Sequence, residues 1–228
     1  MTTFTFRPLA IGTLAVLMFA GNALSQTASP ILNTLEVQKL VTSSTPADNA
    51  KLSAHFTALA DQYAAEATRH TAMAQSYVGN PNRSTGGGMS IHCKRLAELN
   101  TQSATTLREL ADHHKALAAG AVSAAPAGGG RFQSGAGASK PTEADLKALA
   151  AKADTPADHR ALQEYFLTAA KRYTSEANDH AAIARTYRGT RIAQAADHCD
   201  RLVANAREAA KEATAAAAMH GQFANLAR

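Results

Sequence analysis

The chain has 228 residues, a formal net charge of +5 and a hydrophobic fraction of 46%, about half of it alanine. Aromatics at 5% and the absence of Trp exclude the β-branched and aromatic stock of an all-β domain, while alanine favours helix. The core should be thin, because a buried methyl removes little apolar area from water.

Residues 1–25 carry one charge, Arg7, then an apolar run from Leu9 to Ala20 and the small-residue stretch Ala23-Leu24-Ser25. This is the pattern of a secretory signal peptide. The run is shorter than the about 20 apolar residues a membrane span needs, and no second run of that length follows. The expectation is an exported protein, periplasmic or secreted, starting near Gln26, with no transmembrane segment in the mature chain. An uncleaved N-terminal anchor is the alternative. Removing Arg7 from the 23 Lys plus Arg leaves 22 against 18 Asp plus Glu, a net +4. That excess is concentrated on neither helical region, so nucleic acid is not an expected partner.

After an N-terminal segment (26–44) the sequence repeats itself. Thr45-Pro46-Ala47-Asp48 recurs as Thr155-Pro156-Ala157-Asp158, and at this offset 15 of the 35 positions from 45 to 79 are identical. The matches include Phe56/Phe166, Tyr63/Tyr173, Glu66/Glu176, His70/His180 and Tyr77/Tyr187. Beyond a glycine-containing loop at 80–88 the alignment resumes, pairing His92-Cys93 with His198-Cys199 and His114 with His220. The first repeat spans 45–119, a Gly/Ala/Ser-rich flexible linker spans 120–141, and the second repeat spans 142–228.

Each repeat reads as a helical hairpin. Thr45 and Thr155 suit the N-cap, Pro46 and Pro156 the first helical position, and Gly79 and Gly189 the stop. The fold class expected is all-α: two helical hairpins forming an antiparallel four-helix bundle with pseudo-two-fold symmetry. Hairpins that pair between chains, giving a homo-oligomer, are the alternative.

The first helix of each repeat has a seam at 4-3 spacing, and Glu66 and His70, with Glu176 and His180 in the second copy, stand where that seam expects apolar residues. A buried carboxylate or imidazole needs a partner, and Glu66 and His70 are spaced to be each other's. On the second helix Cys93 and Cys199 are seam positions flanked by His92 and His198. Folding each hairpin brings His70 level with His92-Cys93, and His180 level with His198-Cys199. His114 falls at the opposite end, level with Asp48, and His220 with Asp158; these two form a secondary polar pair. His55, His113 and His159 have no matched histidine and read as surface residues.

Two functions follow. Glu66, His70, His92 and Cys93, with Glu176, His180, His198 and Cys199, supply carboxylate, imidazole and thiolate suited to zinc or copper in a bundle core. Alternatively, Cys93 and Cys199 form a disulfide in an exported chain, closing a loop worth roughly 4–5 kcal/mol. The result is then a structural or protein-interaction module with buried Glu–His pairs and no metal. A Cys–His nucleophile is a third option, needing His70 as base across the hairpin. The sequence otherwise points away from an enzyme. It lacks His-Glu-x-x-His, Gly-x-Ser-x-Gly, glycine-rich nucleotide loops and the Cys-x-x-Cys-His of covalent haem.

Overall fold

The computed structural model describes residues 31–80, 83–120 and 142–226. The expected signal segment and nearly all of the expected linker lie outside the described residues. Within them the chain is all-helical, with six α-helices and a single 3-10 turn.

The helix starts follow from local chemistry. The Asn33 side chain accepts the Glu36 N–H while Glu36 reaches back to the Asn33 amide, and this capping box opens α1 (Thr34–Ser43). Thr45 and Thr155 accept the amides of Asp48 and Asp158, with Pro46 and Pro156 as first helical residues, to open α2 (Pro46–Gly79) and α5 (Pro156–Arg188). Thr142 and Asp145 form a further capping box at α4 (Glu143–Lys152). Ser44 takes the left-handed conformation at φ 47° and, with Thr45, turns the chain from α1 into α2 in two residues. No helix among the described residues is long and apolar enough to cross a membrane.

The glycine-containing 80–88 stretch is only partly a loop. α3 (Arg83–Ala119) starts early, so Gly86–Gly88 lie inside it. Gly88 sits against Met219, and a methyl added there would come within 2.5 Å of the Met219 Cε. α6 (Ala196–Leu226) follows a 3-10 turn at Ala193–Ala195.

α2 packs along α3, α5 along α6, and α3 against α6. Cross-links fix the directions: Arg201 on α6 meets Glu109 on α3, and Glu212 meets His92. Rising residue numbers on one helix therefore meet falling numbers on the other, so α3 and α6 run antiparallel. Buried alanines on α6 (Ala206, Ala209, Ala213 and Ala216) let these helices approach closely. α2 and α5 stand further apart, and long side chains span the gap: Tyr63 and Glu66 from one, Arg172 and Glu176 from the other. The short helices α1 and α4 each touch both α2 and α5. Neither was expected from the sequence, although both carry caps and buried residues at helical spacing, Val37 and Val41 in α1, Leu146 and Ala150 in α4.

Candidate functional site

His114 on α3 and His220 on α6 each have both ring nitrogens within hydrogen-bond distance of a partner. His114 is wholly buried. Its Nδ1 lies 2.7 Å from the Asn49 Oδ1 and its Nε2 lies 2.5 Å from the Tyr187 hydroxyl. The Asn49 amide nitrogen donates to the Ser44 and Thr45 carbonyls. Its oxygen therefore faces His114, whose Nδ1 must donate, leaving Nε2 to accept the Tyr187 proton. Phe56 stacks on the ring at 5.6 Å. At the other end His220 Nε2 lies 2.8 Å from the Tyr77 hydroxyl, its Nδ1 lies 3.1 Å from the His159 Nδ1, and Phe166 stacks on it at 5.8 Å. Each cluster joins both halves of the chain, because the tyrosine comes from the opposite copy.

Between the ends, α2 and α5 share an ion-pair network. Arg172 contacts Glu66 at 3.4 Å and Glu176 at 3.2 Å, and its guanidinium lies over the Tyr173 ring. Glu66 also holds Arg69 at 2.7 Å, and the Tyr63 hydroxyl donates to Glu176 at 2.8 Å. Asn100 donates to the Tyr173 hydroxyl and to the Leu96 carbonyl.

The expected Glu66–His70 partnership is replaced by this network. The arginines are permanent cations and bind a carboxylate more strongly than a neutral imidazole does. His70 instead stacks on Phe166, with its Nε2 3.5 Å from the Tyr173 hydroxyl. The Nδ1 atoms of His70 and His180 are both buried without a protein partner. His92 and His198 lie toward the surface. His92 Nδ1 meets Glu212 at 2.7 Å, and His198 Nδ1 lies 3.4 Å from Glu109, beside Arg201. The eight proposed metal ligands are thus dispersed. Among the described residues no group of three or more His, Cys, Asp or Glu side chains is placed to hold a metal ion.

The expected Cys93–Cys199 disulfide does not form; both thiols are free and buried. The cause is the antiparallel run of α3 and α6. Cys199 lies near the level of Glu109, sixteen residues along α3 from Cys93, or roughly 24 Å at 1.5 Å per residue. Burial pushes both thiols up to about 12, so neither is a thiolate at neutral pH and neither has a nucleophile's environment.

Two histidines expected at the surface are buried. His55, 3% exposed, accepts the Leu32 amide at its Nδ1, because the lead-in to α1 lies over it. His159, also 3% exposed, completes the His220 cluster. Asn49 was missed as well. The available signal was the alignment itself, which pairs Asn49 with His159 and His55 with Tyr165, all polar residues at seam-adjacent positions.

Burial lowers the buried imidazoles, His55, His70 and His180 to about 4 and His114 and His220 to about 3. They are neutral at physiological pH and act as hydrogen-bonding rings rather than charges. Comparison with protein-family models, with curated proteins and with solved structures returns no match to this chain.

Proposed function

We propose that the protein is an exported, non-enzymatic interaction module. In this reading two related helical units close into one antiparallel four-helix bundle with a pseudo-two-fold axis. Its interior polar groups set the pairing of the two halves, and its helix faces and clefts meet its partners. The observation that carries the reading is the reciprocal pair of cross-links, His114 to Tyr187 and His220 to Tyr77. Each commits the Nε2 of an imidazole to joining one half to the other, while Asn49 or His159 of its own half holds the Nδ1. Groups so committed specify a unique packing, and they are not free to bind a metal or move protons in a substrate.

The test combines metal titration with thermal melting of the full chain. Under this proposal zinc and copper bind no better to the wild type than to a variant with His70, His92, His180 and His198 changed to Ala. Tm is then insensitive to chelator and to reductant. Saturable binding of one metal per chain, lost in that variant, would restore the metal-binding function and overturn the module.

A further inference from the structure

Residues 31–43, the lead-in and α1, lie along the groove between α2 and α5 and touch both helices. α1 buries Val37 and Val41, and Gln38 donates to the Ala182 carbonyl of α5 at 3.4 Å. At its start the Thr34 hydroxyl donates to Asp179 at 2.7 Å, and the Leu32 amide donates to His55 Nδ1 at 3.0 Å. A helix of ten residues is too short to persist undocked in water, and only Ser44 and Thr45 join it to α2. The segment is a strap with a hinge at one end and an imidazole under the other.

One of these contacts can be cancelled by a proton. In the neutral His55 ring Nδ1 accepts, so Nε2 carries the hydrogen. A protonated ring has a hydrogen on both nitrogens and can accept nothing, which leaves the Leu32 N–H without its partner.

The surroundings do little to hold the added charge. Beneath the strap lies a cavity of about 250 Å³, whose titratable walls are His55 and Tyr63 from α2 and Glu176, Asp179 and His180 from α5. Glu176 is taken up by Arg172 and Tyr63, and Asp179 by Thr34, so neither carboxylate bonds the His55 ring. His180 is 5% exposed, its Nδ1 has no protein partner, and charge on it opposes charge on His55. On α1 itself Glu36 is turned to the Asn33 amide and Lys39 is exposed.

We propose that residues 31–43 form an acid-released strap: protonation of His55 frees the Leu32 end, charge on His180 adds to the effect, and the segment swings about Ser44 and Thr45 to open the groove between α2 and α5. The device does not rest on the module reading.

Under the strap, burial and the facing His180 lower His55 to about 4, against about 6.5 for a solvated ring. Protons therefore favour the released form as pH falls below about 6.5, and the effect saturates below about 4. Between pH 7.5 and 5.0 this one ring should multiply the released fraction by about thirty.

Hydrogen exchange of the full chain, followed by mass spectrometry and corrected for the intrinsic rate at each pH, tests this. Amides of α1 should be less protected than those of α3 at both pH values, and their protection should fall at least about thirtyfold on acidification. His55→Asn keeps an acceptor that does not titrate, and should take about thirtyfold out of that fall. Equal protection of α1 and α3 would mean that the segment leaves only when the whole chain unfolds. An equal fall in His55→Asn would mean that another group drives release. Either result overturns the proposal. If the variant leaves α1 undocked at pH 7.5, nitrogen-15 NMR of the wild-type histidines decides: a hydrogen on His55 Nε2 is expected, and a hydrogen on Nδ1 would overturn the strap.

Discussion

The two ends of the molecule are built on one plan and finished differently. At one end His114 is held between Tyr187 and Asn49; at the other His220 is held between Tyr77 and His159. The histidine, the tyrosine from the other half and the stacked phenylalanine are common to both. The group facing Nδ1 changes, from an amide that cannot titrate to a second imidazole that can, and so does the ring set edge-on to the histidine, His113 at one end and Phe223 at the other. The shared parts lock the halves together, and burial lowers both histidines to about 3, with neighbouring imidazoles adding to it, His113 and His198 at one end and His159 at the other. A proton added to His114 at Nε2 is accommodated, because the Tyr187 hydroxyl can rotate to accept. At the other end the hydrogen between the two Nδ1 atoms belongs to one ring or the other according to tautomer, and charge on His220 is opposed by the facing His159 imidazole.

The largest expected effect is on acidification. His55, His70, His114, His180 and His220 are bases lowered in the folded state by burial. The stability they give as neutral rings is fully present above about 6.5, their unfolded value. It is lost as pH falls from there toward about 4 and below, where the unfolded chain binds protons the folded chain cannot. Each histidine contributes a slope of about 1.4 kcal/mol per pH unit over that range. Urea midpoints taken from pH 7.5 down to 4.5 should fall steeply, with unfolding before pH 4; a flat profile would mean that the interior admits charge.

Next comes removal of either ring. His114→Ala leaves a cavity and strands the Asn49 oxygen and the Tyr187 hydroxyl, an expected loss of about 3–5 kcal/mol at neutral pH. His220→Ala should cost a similar amount by urea denaturation. If one costs little while the other unfolds the chain, the common plan of the two ends is wrong. Tyr187→Phe and Tyr77→Phe remove only the hydroxyls, and each should cost about 1–2 kcal/mol. Changing each tyrosine together with its histidine tests the link directly, because the double variant should cost less than the sum of its singles.

Much of this was legible before the structure. Thr45-Pro46 and Thr155-Pro156 marked the long helices, and the alignment of Tyr77 with Tyr187 and His114 with His220 singled out the groups that now join the halves. His114 was expected level with Asp48, and its partner is the adjacent Asn49. What failed was what depends on how the two hairpins face each other and on the short helices. Glu66 and His70 are one turn apart, but an arginine from α5 decides where the carboxylate points. Cys93 and Cys199 are equivalent in sequence, yet equivalent positions on antiparallel helices lie at opposite ends. His55 looked exposed because the segment that covers it, Leu32 and α1, lies ahead of the repeat that begins at Thr45.

The smallest expected effect addresses the comparison most directly. His159→Asn gives the second end the same kind of partner as the first, an amide oxygen facing the histidine Nδ1. At neutral pH little should change, because one hydrogen bond replaces another and the ring lost is not the stacked one. In acid the facing imidazole that opposes charge on His220 is gone, and the steep part of the urea profile should move down by a few tenths of a pH unit. Asn49→His at the other end should move it up by a similar amount, bringing a second proton-sensitive pair into contact with His114. Opposite shifts from these reciprocal substitutions would place the difference between the ends in the Nδ1 partner alone. Shifts of the same sign would place it in the surrounding packing, where Phe223 lies beside His159 and His220 and the other end has Leu117 at the aligned position.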